Sequence, residues 1–161
     1  MAKEVVRLNE NETAWMRLFR TYKVLERARE VELAKAGLSL AQAGVLYFLK
    51  DAKEPLTPSK LARLMYKEPH TMSGLISRME AQGLVKKTKN LGRKNLVRVS
   101  LTKKGEEACK RQLGKTAVIN ITSCLSKKDL AALNALSDKL RAKGVELLRD
   151  MQPYPYRAML E

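Results

Sequence analysis

Apolar residues recur along this chain at two spacings, and the switch between them divides it into helices, a short hairpin, and helices again. Trp15, Leu18, Phe19, Tyr22 and Leu25 keep the 3.6-residue spacing of an amphipathic helix over about residues 12–33, which Gly37 ends. Ser39-Leu40-Ala41-Gln42 reads as a capping box, with the Ser39 hydroxyl at the cap and the Gln42 side chain reaching back. The helix it opens carries Val45, Leu46, Phe48 and Leu49 and stops near Asp51. Thr57 caps a third, short helix that has Pro58 in its first position and Leu61, Ala62, Leu64 and Met65 on its apolar side. Tyr66-Lys67-Glu68 makes a turn, and Pro69 starts a fourth helix that runs to Gln82 and is ended by Gly83.

The spacing then shortens to two. Leu84 to Lys89 and Leu96 to Leu101 read as strands flanking the turn-rich loop Asn90-Leu91-Gly92-Arg93-Lys94-Asn95. In the second strand Val97, Val99 and Leu101 alternate with Arg98 and Ser100, so one face is buried and the other wet. From Thr102 the pattern is helical to about Cys124. Ser126-Lys127-Lys128-Asp129 then caps a last helix bearing Leu130, Leu133, Leu136, Leu140 and Leu147, stopped by Pro153 and Pro155. The expected fold class is mainly α with a small β-hairpin wing (α+β). A chain of 161 residues with a 45% hydrophobic content fits one globular domain with a real core.

Charge narrows the function. Lys and Arg total 32 against 17 acidic residues, a net charge of +15, and a surface that positive attracts polyanions, either nucleic acid or an anionic membrane. The membrane reading fails on length, because the longest charge-free apolar stretch, Leu38 to Leu49, is shorter than the ~20 residues a spanning helix needs. The charged opening Met1-Ala2-Lys3-Glu4 has no apolar signal-peptide core, so a cytoplasmic location is expected. Two cysteines and one histidine cannot build a four-ligand zinc site, and no Gly-rich phosphate loop is present. His70, the one histidine, has no second ligand nearby. No enzyme, metal or cofactor is expected.

A short helix, a tight turn, a second helix and a basic hairpin, in that order, form a helix-turn-helix with a wing, whose second helix fits the major groove of B-DNA. On that helix Met72, Leu75, Ile76 and Met79 make the core stripe, and His70, Ser73, Gly74 and Ser77 the opposite one. The plain reading of the second stripe is a solvated face. Gly74 argues for more, since glycine inside a helix costs ~1 kcal/mol relative to alanine and needs a reason, from packing or from DNA. The hairpin is the stronger signal. No acidic residue lies between Glu80 and Glu106, while Lys86, Lys87, Lys89, Arg93, Lys94, Arg98, Lys103 and Lys104 all do.

The joint spacing of Leu61-Ala62-Arg63-Leu64, of Ser73-Gly74-Leu75-Ile76-Ser77-Arg78-Met79-Glu80-Ala81-Gln82-Gly83-Leu84-Val85, and of Leu101-Thr102-Lys103-Lys104-Gly105 resembles the MarR family of winged helix-turn-helix transcription regulators. The resemblance covers nearly the whole chain. It implies a homodimer held by helices from both termini, about residues 1–36 and 103–152, with a winged lobe over about residues 39–102. It implies a repressor on a pseudo-palindromic operator in double-stranded DNA, with recognition helices in successive major grooves and wings reaching the minor groove. By position, Pro69, His70, Thr71, Ser73, Gly74, Ser77 and Arg78 come nearest DNA, with Lys86 and Lys89 on the wing. Thr57 and Ser59 contact phosphate, in keeping with the free N–H groups of a helix start. One departure matters. The family's wing carries Asp-x-Arg, and here those positions are Arg93-Lys94-Asn95, so its usual internal salt bridge cannot form and Arg93 or Lys94 is left to enter the groove.

The resemblance also implies a small aromatic or lipophilic effector, with Trp15, Phe19, Tyr22 and Tyr47 as candidate lining; the simpler reading of that stripe is dimer core. Cys109 and Cys124 raise a thiol-based redox-sensing alternative. On one continuous helix they stand about 22 Å apart and cannot join within a chain, so both read as buried structural thiols. The remaining rivals are a nonspecific architectural DNA-binding protein and a winged helix used for protein contact.

Overall fold

In the computed structural model, residues 9–89, 97–112 and 117–151 are described, and they form seven α-helices and one antiparallel hairpin. Helix α1 (Glu10–Lys35) starts slightly earlier than the apolar spacing suggests, because Asn9 and Glu12 form a reciprocal capping box ahead of the first apolar turn. Helix α2 (Leu40–Asp51) is capped by the Ser39–Gln42 box, as expected. Helix α3 (Pro58–Leu64) is capped by Thr57, whose hydroxyl accepts the Lys60 N–H at 3.1 Å. Helix α4 (Pro69–Ala81) begins at Pro69 and leads into the ribbon β1 (Val85–Lys89) and β2 (Val97–Leu101). Helices α5 (Lys103–Gln112), α6 (Ala117–Thr122) and α7 (Lys127–Met151) complete the chain.

The core lies where α2, α3, α4, α5 and the ribbon meet. Val45 and Leu46 of α2, Leu61 of α3, Met72, Ile76 and Met79 of α4, Val85, Val99 and Cys109 are all essentially inaccessible. Each large apolar side chain sealed this way stabilises the fold by roughly 1.5–3 kcal/mol. The ribbon pairs Val85 with Leu101, Lys87 with Val99 and Lys89 with Val97. Its second strand has another neighbour that the sequence pattern does not reveal: Leu56 exchanges both backbone hydrogen bonds with Val99, at 3.2 and 2.7 Å. That bridge ties the α2–α3 connection to the root of the wing.

Two local devices fix how the ribbon leaves α4. Gly83 takes the left-handed conformation (φ 71°), so its N–H reaches Glu80 O and the Leu84 N–H reaches Met79 O, closing the helix. Leu84, expected to open the strand, is therefore the last residue of this helix cap. Its carbonyl accepts the Thr102 N–H at 3.2 Å, and the first turn of α5 lies directly against it. A methyl group at Gly105 would fall 2.0 Å from that oxygen. Only glycine lets α5 pass.

Within the segment read as helical from Thr102 to about Cys124, residues 103–112 (α5) and 117–122 (α6) are helical. Both are tied to α1: Arg29 donates to Gln112 O at 3.0 Å, and the Ala117 N–H donates to Glu32 at 2.9 Å. Burial pushes the Glu32 carboxyl up, but hydrogen bonds from Ala117 and Arg29 outweigh it and hold it below its ordinary value. Helix α7 has no buried residue in a single chain.

Candidate nucleic-acid interface

The surface expected to meet DNA is assembled by α3, the turn after it, α4 and the ribbon. The turn is closed by Tyr66 in the left-handed region (φ 49°), with Tyr66 N–H to Arg63 O and Lys67 N–H to Ala62 O. This is the same helix-ending pattern as at Gly83, made here with a side chain present. It turns the chain sharply enough for Pro69 to begin α4 four residues after α3 caps at Met65.

Along α4 the two stripes separate as the spacing predicts. Met72, Leu75, Ile76 and Met79 are buried, and Pro69, His70, Thr71, Ser73, Gly74, Ser77 and Arg78 are all exposed. Thr57 is half-buried at the start of α3, with Ser59 exposed beside it. Nothing in the described structure comes within 4 Å of a Cβ placed on Gly74. Packing inside the chain is therefore not what this glycine serves. Gly74→Ala should raise the stability of the free protein by up to about 1 kcal/mol, read by denaturant unfolding, while weakening DNA binding. Unchanged DNA affinity in that variant would remove close approach as the reason for glycine.

The ribbon's cations do not form one set. Because strand neighbours alternate, Val85, Lys87 and Lys89 share one face with Val99, while Lys86 and Thr88 share the other with Ser100 and Arg98. Lys86 and Lys89 are exposed, on opposite faces. Lys87 turns back to α4, and Arg98 turns toward the α2–α3 connection, 3.6 Å from Glu54 and 3.4 Å from Pro55 O. Glu80 is held below the ordinary carboxylate range, first by the hydrogen bond from the Lys87 ammonium and next by the Lys87 N–H. Lys87 and Arg98 belong to the acid-free run of cations, but both are engaged within the chain; the alternation from Val85 is the sequence sign that Lys87 lies on the face of the ribbon shared with Val99. Arg93, Lys94 and Asn95, expected at the wing tip, lie outside the described residues.

The aromatic candidates are only partly brought together. Trp15, Phe19 and Tyr22, with Leu18, line an apolar pocket of about 310 Å³ on α1. Tyr47 belongs to α2, packs edge-to-face on Phe48 and lines no part of that pocket. The Tyr22 hydroxyl donates to Glu26 at 2.6 Å, which raises its pKa. Of the two thiols expected to be buried, Cys109 is, packed in the core, and Cys124 is exposed in the turn that follows α6. Among the described residues there is no group of three metal-ligating side chains, and no helix is long and apolar enough to cross a membrane.

Residues 36–94, which hold the α2–α4 core and β1, match the sequence pattern of the MarR family. The structure is similar to that of an organohalide-sensing RdhR transcriptional regulator in its ligand-free form. The TM-score is 0.80 at 28% identity, covering 91% of this chain and 88% of that one. Against the same regulator with 2,4-dichlorophenol bound, the TM-score is 0.75 at 27% identity, over 97% of this chain and 99% of that one. The fold is shared with Sco3205, a MarR-family transcriptional regulator from Streptomyces coelicolor solved in complex with DNA, at a TM-score of 0.78, 21% identity and 95% of each chain. No curated protein sequence is significantly similar to this chain.

Proposed function

We propose, on the premise that this chain is a MarR-family transcriptional regulator and not an enzyme, that two copies of it bind a pseudo-palindromic operator in double-stranded DNA and act as a repressor. The observation that carries this reading is the exposed, small-residue side of α4 standing beside a ribbon that has no acidic residue between Glu80 and Glu106. Side chains of that size let the helix approach base edges, and Gly74 lets its backbone come closer still. Thr57, Ser59, Lys86, Lys89, Arg93, Lys94 and Asn95 would meet the backbone and minor groove on either side.

Dimerisation is supported by what a single chain leaves uncovered. Trp15, Leu18, Phe19 and Tyr22 of α1, Val118 and Ile119 of α6, and Leu133, Leu136 and Leu140 of α7 are all exposed large apolar residues. Apolar faces of that extent mark contact surfaces, and a self-complementary pair would set two recognition helices on neighbouring major grooves. A small aromatic or lipophilic effector fits the same region. The pocket of Trp15, Phe19 and Tyr22 is wholly apolar in lining, and the neighbouring organohalide-sensing regulator holds a chlorinated phenol.

Selection from a random duplex library tests the function. A palindromic consensus with half-sites about one helical turn apart is the expected result, and equal affinity for selected and random duplexes would mean a nonspecific architectural protein instead. On the selected duplex, neutralising Lys89, Arg93 and Lys94 together should lower the log–log salt slope by about 0.9 for each phosphate that is no longer neutralised. An unaltered slope would take the ribbon off the phosphates.

A further inference from the structure

Lys87 differs from the other cations of the ribbon in where its charge goes. It shares a face with buried Val85 and Val99, so its stem lies over the core side of the sheet and its head emerges at α4. There its Nζ is 2.8 Å from Glu80 Oε2 and 3.2 Å from Ser77 Oγ, and its own backbone N–H donates to Glu80 Oε1 at 3.0 Å. One carboxylate of α4 is thus gripped by both the main chain and the side chain of a β1 residue. An ammonium only donates, so Ser77 Oγ accepts in this contact and keeps its own hydrogen for a partner elsewhere.

We propose that Lys87 is a positioning residue for operator binding. Together with Glu80 it braces the wing against the recognition helix, and it holds Ser77 with its hydroxyl as a donor toward acceptors on the duplex, such as purine N7 and O6 or thymine O4. The proposal rests on the operator reading above. A lysine already neutralised by Glu80 releases no counterion when DNA binds, and this separates a brace from a phosphate contact.

The test uses the full chain and its library-selected duplex over a range of salt concentrations. Lys87→Gln, Glu80→Gln and the double variant should each weaken binding by about fivefold, the double no more than either single, because each removes the Lys87–Glu80 ion pair. Their log–log salt slopes should equal that of the wild type, and Lys87→Arg should restore affinity. Lys89→Gln, by contrast, should lower the slope by about 0.9. A slope lowered equally by Lys87→Gln, or tighter binding by Glu80→Gln, would show Lys87 to be a phosphate contact and overturn the brace. A second readout needs no DNA: Glu80→Ala, which removes the acceptor, should speed hydrogen exchange at the Lys87 amide by about tenfold or more in the free protein. Unchanged exchange overturns the brace even where DNA binding is normal. Failure of the wild type to bind any duplex overturns the operator reading, and the exchange measurement then still decides whether the brace exists.

Discussion

Gly105→Ala should lower the thermal midpoint by about 10 °C, which corresponds to roughly 3 kcal/mol for a chain of this size. The residue lies inside α5, where alanine is normally the better helix former by ~1 kcal/mol, so helix propensity alone predicts the opposite sign. Contact decides against it. The added methyl would meet the Leu84 carbonyl oxygen at 2.0 Å, and that oxygen is already committed to Thr102. Neither group is the tip of a flexible side chain, so relief requires α5 and the end of α4 to move apart. Such movement would also break the hydrogen bond that the Thr102 hydroxyl donates to Gly83 O at 2.6 Å. Thermal unfolding followed by circular dichroism reads the result directly, with Gly74→Ala as the control in which the added methyl meets nothing. A Gly105→Ala midpoint equal to that of the wild type would mean that the junction between wing and α5 yields without cost.

Ser73→Glu should abolish operator binding, a loss of at least about a hundredfold, with assembly unchanged by size-exclusion chromatography. Ser73 is exposed on the stripe opposite Met72 and Ile76, so a longer side chain there disturbs no buried contact. It would bring a carboxylate into the surface proposed to meet DNA, where juxtaposed like charges cost several kcal/mol. Retained affinity would remove α4 from the recognition role. A loss of affinity accompanied by altered assembly would mean that this side of α4 belongs to the subunit contact.

What the sequence disclosed was mostly what depends on near neighbours. The Ser39–Gln42 box, the Thr57 cap, the Ser126–Asp129 cap and the Gly83 turn each involve groups within a few residues, and their chemistry determines their geometry. The two stripes of α4 were equally legible, because its periodicity survives intact along all 13 residues of the helix. Features that need distant partners were not. Leu56 pairs with Val99 through a single residue, too short to leave an alternating pattern. Arg98 is drawn to Glu54 across 44 positions of chain, and a count of like charges on the ribbon could not know it. Tyr47 looked like a member of the Trp15 stripe because aromatics carry no label of the helix against which they pack. The Asn9–Glu12 box is an Asn-x-x-Glu pattern that lies N-terminal to the Trp15 stripe, so the stripe alone does not mark it.

The bridge at Leu56 has a mechanical consequence. Val99 is flanked by Leu56 on one edge and Lys87 on the other, whereas Val97, farther out, pairs with Lys89 alone. The described ribbon is therefore held from both sides at Val99 and from one side at Val97. In the proposed complex, strain at the outer pairing of Lys89 with Val97 would be taken up there before it reached the Leu56 bridge, leaving the seat of α4 undisturbed.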